Sequence, residues 1–262
     1  MRSRCRVIAF ALSLAVLAAP AALAQEIPLP ELQKKLAEKN YYASLEGLKD
    51  AQADVRCNIM DQLVAAFPDA AGKPIAVKYY WSKPAPEIAP KKKFVISGIP
   101  AEMADLAGRA QQIFQGKEDL VINAPVYETI ETTNAQAMTE GAKVKVVGEA
   151  KTPADQLRKL QVEIDAATWQ VQKMEMDLGQ AQATVEMVSQ DLGGKWGVES
   201  TVVSSPQVKQ VMKFEYAQVD GFWLPSKISL DYQGPDGKPL ATTFVYDFSN
   251  WQVNKGIPEG VL

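Results

Sequence analysis

The chain has 262 residues, 28 Lys and Arg against 31 Asp and Glu, two cysteines and no histidine. The missing histidine excludes Ser-His-Asp and Cys-His nucleophilic centres and any histidine general base, and so few cysteines exclude a tetrahedral zinc site. Carboxylates alone could hold a metal, but no Asp/Asn/Gly loop of calcium-binding spacing occurs; the composition, 47% hydrophobic and 23% charged, is that of a globular protein with ample core material.

Residues 1–24 read as a secretory signal. Arg2, Arg4 and Arg6 form a basic stretch, Val7 to Ala19 an almost unbroken apolar run, and Ala22-Leu23-Ala24 a small-x-small cleavage site before Gln25. The run is too short to span a membrane. Cys5 precedes it, whereas an acylated lipoprotein cysteine would follow it. Cleavage after Ala24 removes three basic residues and no acidic ones, which moves the net charge from −3 to −6. That sign disfavours nucleic acid and anionic lipid headgroups as partners. Residues 25–262 read as one exported domain. Cys57 then has no internal partner and reads as a small buried apolar residue in a strand.

Pro28 and Pro30 suit the start of a helix. Leu29, Leu32 and Leu36 follow at helical spacing, and Tyr41, Leu45 and Leu48 continue it after a phase shift, which predicts a kink near Asn40. The period then changes to two. Ala53, Val55, Cys57 and Ile59 alternate with polar residues, as do Ile75, Val77, Tyr79 and Trp81, with Gly72-Lys73-Pro74 as turn chemistry between them. The Pro-rich stretch from Pro84 to Lys93, with its Lys91-Lys92-Lys93 run, reads as a solvated loop. Met103, Leu106, Ala110, Ile113 and Phe114 define a helix over residues 101–115, stopped by Gly116. Residues 126–140 are polar and Thr-rich and fit a strand, a short helix or a lid loop.

From Lys143 onward strand follows strand. Val144, Val146 and Val147 begin the series. Leu160, Val162 and Ile164 continue it, and Asp165-Ala166-Ala167-Thr168 turns into a strand from Trp169 to Asp177. Ala183, Val185 and Met187 come next, then Met212, Phe214 and Tyr216, then Ile228, Leu230 and Tyr232, then Phe244, Tyr246 and Phe248. Turns fall at Gly193-Gly194, Asp220-Gly221 and Gly234-Pro235-Asp236-Gly237. Roughly ten short strands with hairpin links and no crossover helices predict an antiparallel meander. A meander this long must curl. The expected fold is mainly β with a few helices, a curved sheet or half-barrel with helices over its concave side.

Two carboxylate pairs, Glu163/Asp165 and Glu175/Asp177, sit at strand spacing, but alternation with apolar residues makes each a solvated face. No nucleophile elbow, phosphate loop or dinucleotide fingerprint is present, so no catalytic residue, metal or cofactor is assigned. The informative constellation is apolar. Met174, Met176, Met187 and Met212 take alternate strand positions beside Val162, Ile164, Val185, Phe214, Tyr216, Leu230, Phe244 and Tyr246. Any one of them alone is ordinary core. Together, adaptable methionines on a curved sheet favour an apolar ligand cavity over catalysis.

Three stretches carry a resemblance: Leu160-Gln-Val-Glu-Ile-Asp165 with Thr168-Trp-Gln-Val-Gln-Lys-Met-Glu-Met176, Phe214-Glu-Tyr-Ala-Gln-Val-Asp-Gly-Phe-Trp-Leu-Pro-Ser-Lys-Ile228, and Phe248-Ser-Asn-Trp-Gln-Val-Asn-Lys-Gly-Ile257. The chain resembles the outer-membrane lipoprotein-sorting group, the superfamily of LolA-, LolB- and RseB-like periplasmic proteins, most closely over residues 143–257. The resemblance implies an eleven-stranded half-barrel with a helical lid over an apolar cavity, in a Gram-negative periplasm. It further implies a monomeric carrier of acylated lipoprotein or lipid, served by an inner-membrane transporter or other membrane-protein partner. The alternative it allows is a regulatory protein of the same fold that binds the periplasmic part of a membrane protein. Arg56, Arg109 and Arg158 are all candidates by type for the basic residue that tunes exchange in such carriers, and no motif selects among them.

Overall fold

The computed structural model describes residues 25–70, 72, 74–85 and 88–262; the signal segment, residues 1–24, lies outside the described residues. Thirteen strands form one antiparallel sheet: β1 (Gln25–Ile27), β2 (Asp50–Cys57), β3 (Ala76–Ser82), β4 (Lys91–Ser97), β5 (Thr133–Glu140), β6 (Lys143–Ala150), β7 (Lys159–Asp165), β8 (Val171–Asp177), β9 (Gln182–Asp191), β10 (Trp196–Ser204), β11 (Lys209–Val219), β12 (Phe222–Gln233) and β13 (Phe244–Val253). Their order is β1-β5-β6-β7-β8-β9-β10-β11-β12-β13-β2-β3-β4, so β5 to β13 run as one uninterrupted meander. The N-terminal part pins both ends of it. β1 pairs with β5 on one side, and β2 with β13 on the other. The sheet curves but does not close, and β1 and β4 are its edges.

The turns follow local chemistry. At the β7–β8 hairpin the Asp165 carboxylate accepts from the backbone N–H groups of Ala167 (3.0 Å) and Thr168 (2.8 Å), an Asx-type turn. Asp220 and Gly221, both at positive φ, make the two-residue β11–β12 link.

Four α-helices lie on one face: α1 (Leu29–Lys39), α2 (Asn58–Ala65), α3 (Ala104–Phe114) and α4 (Val126–Glu131). They bury two separate cores. Leu32 and Leu36 of α1 and Ile130 of α4 pack on Val144, Val146, Leu160, Val162 and Ile164. Met60 of α2 and Ala110, Ile113 and Phe114 of α3 pack on the β12–β13–β2–β3–β4 end, where Tyr79, Phe94, Phe114 and Tyr246 form edge-to-face or tilted ring contacts. The Tyr246 hydroxyl donates to the Ile113 carbonyl at 3.0 Å, tying α3 to β13.

Several expectations are corrected. α1 does not kink at Asn40 but stops there. Both the backbone N–H and the side-chain amide of Asn40 donate to the Leu36 carbonyl, at 3.0 Å each, so Tyr41, Leu45 and Leu48 belong to a non-helical crossing segment. Ile59 does not extend β2. It lies in α2, because Asn58 turns the chain by donating to the Thr243 carbonyl and accepting from the Val245 N–H, both at 2.9 Å. Residues 91–93 are strand β4 rather than loop. Lys91 and Lys93 point to solvent, while Lys92 is half-buried and ion-paired with Asp119. Residues 126–140 divide into α4 and β5, and β10 is an additional strand. The count is thus thirteen strands among the described residues, against about ten by pattern and eleven by resemblance.

Gly148 on β6 marks the tightest crossing of the α1/α4 end. A Cβ there would lie 2.1 Å from Thr133 Oγ1, which is buried and donates to the Ile130 carbonyl at 2.8 Å. Gly148→Ala should therefore cost about 1–3 kcal/mol by overpacking, read as a lower urea midpoint. Adding Thr133→Ala, which still leaves a Cβ 2.8 Å away, should restore only part of it. An unchanged midpoint in Gly148→Ala would mean that α4 is not seated as described.

Candidate functional site

The helices cover the two ends of the sheet and leave its middle, around β9 to β11, without a helix. A cavity of about 200 Å³ lies there. Its floor is built by register. Met187 on β9 faces Thr201 on β10, which faces Met212 on β11, and Trp196, Val198, Phe214, Tyr216, Leu224 and Pro225 surround that row. Its roof is two stretches of irregular backbone, residues 40–43 after α1 and residues 121–125 leading into α4.

The first roof segment is held by hydrogen bonds to what lies beneath it. Asn40 bridges to Trp196 in parallel, and the Tyr41 N–H donates to the Trp196 carbonyl at 2.8 Å. The Asn40 amide also donates to the Trp169 carbonyl at 3.0 Å, while the Trp196 indole donates to the Thr168 carbonyl at 3.1 Å. These two bonds hold Trp169 at φ 61°, a conformation a bulky residue adopts only when its surroundings fix it. The Tyr41 hydroxyl accepts from the Trp223 N–H at 2.8 Å. The second segment is joined to the first where the Tyr42 hydroxyl accepts from the Val126 N–H at 3.3 Å. Val121 and Ile122 of the second segment are buried, and the Lys83–Glu128 ion pair at 2.9 Å fastens α4 behind it.

No charged side chain lines the cavity among the described residues. Burial pushes the Tyr41 and Tyr42 phenols up to about 12 from an ordinary 10.0, and raises Tyr216 further. The phenols of this region are therefore neutral hydrogen-bonding groups at any physiological pH.

All twelve apolar residues singled out in the strands fall on the helix-bearing face, because the pairings run through Val162–Met174–Val185, Met212–Leu230–Phe244 and Phe214–Ile228–Tyr246. They are not brought to one place. Met187, Met212, Phe214 and Tyr216 line the cavity. Val162, Ile164, Met174, Met176 and Val185 pack in the core beneath α1. Leu230, Phe244 and Tyr246 pack in the core beneath α2 and α3, which Met212, Phe214 and Tyr216 join at the cavity's edge. Sequence reasoning missed Trp196, Val198 and Thr201 on the floor and the whole roof. β10 carries a register shift between Val198 and Ser200, which breaks the alternation that would have exposed it. Trp223, Leu224 and Pro225 were visible only as part of the hairpin motif.

The carboxylate pairs have structural partners. Glu163 pairs with Lys143, which holds its carboxyl below the ordinary value. Asp165 is lowered by its bonds to Thr168. Glu175 pairs with Lys173 at 2.5 Å, and Asp177 accepts from the Gly179 N–H at 2.8 Å. Arg56 pairs with Asp61 at 2.8 Å, and none of Arg56, Arg109 and Arg158 lines the cavity. Among the described residues no cluster of His, Cys, Asp and Glu is arranged to hold a metal. Cys57 is buried and free, and burial raises its thiol pKa.

No family model matches the chain, and no curated protein matches it. Three solved structures are similar to it. A DUF1329 family protein from Desulfovibrio piger is 9% identical, with 88% of this chain and 95% of that chain covered and a TM-score of 0.36. A LolA superfamily protein from Nitrosomonas europaea is also 9% identical, with 88% and 96% covered and a TM-score of 0.31. A protein described as an outer membrane lipoprotein-sorting domain, from Vibrio parahaemolyticus, is 10% identical, with 87% and 93% covered and a TM-score of 0.35. Two of the three names belong to the group that the sequence motifs resemble. Likeness at this level carries no argument about ligand or partner, and the reading of the site rests on its own geometry.

The raised phenols yield a pH expectation. A tyrosine that ionises later in the folded than in the unfolded chain stabilises the fold fully below pH about 10. That contribution is lost as the pH rises towards about 12, where Tyr41 and Tyr42 ionise. Phenolate absorbance should lag behind free tyrosine and appear together with alkaline unfolding. Ionisation of all eight tyrosines near pH 10 in a still-folded protein would show that the roof is not packed as described.

Proposed function

We propose that this protein is a periplasmic carrier, exported by cleavage after Ala24, that binds the acyl chains of a lipoprotein or lipid and delivers them towards the outer membrane. The observation that carries the reading is the uncharged cavity floored by Met187, Met212 and Phe214 and roofed by two non-helical segments. Apolar burial alone can hold a chain there, since each buried methylene contributes about 0.8 kcal/mol. No proton transfer is required, which suits a chain without histidine.

The size of the cavity adds a mechanical requirement. An apolar cavity of ~150 Å³ accepts benzene, and pockets for larger ligands run to about 300–1,000 Å³. At about 200 Å³ the part-open cavity takes a ring or a few methylenes, not a full acyl chain. Loading therefore lifts the roof, and the 121–125 segment is the part that moves. It has no strand or helix of its own, and the bond that joins its end to the first roof segment is the long one between Val126 and Tyr42. A membrane partner that engages this segment would both admit and release the cargo. The mature charge of −6 keeps the protein off anionic lipid surfaces between those encounters.

Displacement of the apolar dye phenylnaphthylamine by saturated fatty acids tests this. Affinity should rise about fourfold per methylene as the chain lengthens, then level off. Met187→Asp, at a half-exposed position that tolerates the change in the free protein, should weaken binding about tenfold or more, because the ligand buries the new carboxylate. Glu175→Gln, on the opposite face, should leave binding unchanged. Equal losses in the two variants, or no dye bound at all, would contradict the carrier reading.

A further inference from the structure

Four of the polar side chains around the cavity are bonded to protein. Asn40, Tyr41, Tyr42 and Trp196 each have a backbone partner. Thr201 differs. It stands at the centre of the floor, between Met187 and Met212, in an inward row that continues through Leu230 and Phe244. It is 8% exposed, and its Oγ1 is, among the described residues, the one buried side-chain nitrogen or oxygen without a hydrogen-bond partner. A buried hydroxyl left unpaired is destabilising, and natural structures seldom keep one without a reason. Valine has the same shape and would complete the apolar row without that penalty.

We propose that Thr201 is a ligand-recognition residue. Its hydroxyl donates a hydrogen bond to the carbonyl oxygen of an acyl ester or amide, while the hydrocarbon beside that carbonyl lies over Met187 and Met212. This rests on the carrier reading above and adds a chemical class to it: the cargo enters with a carbonyl at the cavity floor rather than as bare hydrocarbon. Threonine is suited to the task. Oγ1 and Cγ2 share one Cβ, so a step of about 120° about χ1 can carry Oγ1 into the position Cγ2 held, while Cγ2 moves to that of the Cβ hydrogen. The hydroxyl can then turn from its sealed position towards the cavity without any backbone movement. In surroundings with no charged side chain the bond to a carbonyl is stronger than it would be in water.

Three probes of similar length, small enough for the cavity, test the proposal: n-butylbenzene, methyl phenylacetate and N-methylphenylacetamide. Binding of each to the wild type, Thr201→Val and Thr201→Ser is measured by titration calorimetry, with unfolding temperature as the check on folding. Thr201→Val should weaken one or both carbonyl probes about fivefold or more, the value of one hydrogen bond, while n-butylbenzene binds as tightly as before or more tightly. Thr201→Ser should retain carbonyl binding. The ligand-free Thr201→Val protein should unfold a few degrees higher, because the unpaired hydroxyl is gone. The larger loss, ester or amide, identifies which acyl linkage the floor reads. If Thr201→Val alters all three probes alike or none of them, the inference is overturned and the apolar cavity reading stands. If no probe binds the wild type, the cavity reading itself fails and the inference with it.

Discussion

A thirteen-stranded sheet has more apolar face than four short helices can cover. Everything distinctive about this protein follows from how that surplus is handled. The helices gather at the two ends, α1 with α4 and α2 with α3, and each pair seals an apolar core. The strands between them, β9 to β11, are long and strongly paired but are left to loops for cover. Loops cannot fill a curved face as side chains of a helix do, because their own backbone groups must find partners. The result is a small hollow under hydrogen-bonded straps instead of a third core.

Those straps show how a marginal cover is kept in place. Asn40 ends α1, bridges to Trp196 and holds the Trp169 carbonyl, so one residue fixes the end of a helix, the start of β10 and the turn before β8. Tyr41 and Tyr42 extend the same seam to β12 and to α4 through their hydroxyls. The 121–125 segment has no comparable set of bonds. It stays down chiefly through Val121 and Ile122, apolar contacts that an apolar ligand could replace. A cover fixed by hydrogen bonds on one side and by apolar burial on the other can open on one side while remaining anchored on the other.

The meander was legible because its strands alternate cleanly and its turns use Asp-Gly, Gly-Gly and the Asp165 cap, all local signals. The shared inward face of Met174, Met187, Met212 and Phe244 was legible for the same reason. What escaped did so for physical reasons. β4 reads as a polar loop because it is an edge strand, and lysines on an edge deter pairing with other chains. β10 is hidden by a bulge that breaks its period. α2 is eight residues long and begins directly where β2 ends, so its period never separates from that of the strand. The roof had no period to read, since its burial comes from the distant strands beneath it. The sequence could thus mark an apolar face but not divide it into core and cavity, because that division depends on where the helices stop.

The central claim is that the hollow between the two cores carries an acylated cargo in the periplasm. Native mass spectrometry of the protein taken gently from the periplasmic fraction tests it most directly. The account predicts a population heavier than the mature chain by the mass of a bound acyl compound, present in the wild type and in Glu175→Gln and lost in Met187→Asp. A single species at the mass of the bare chain in the wild type, with no acyl compound released on denaturation, would contradict it.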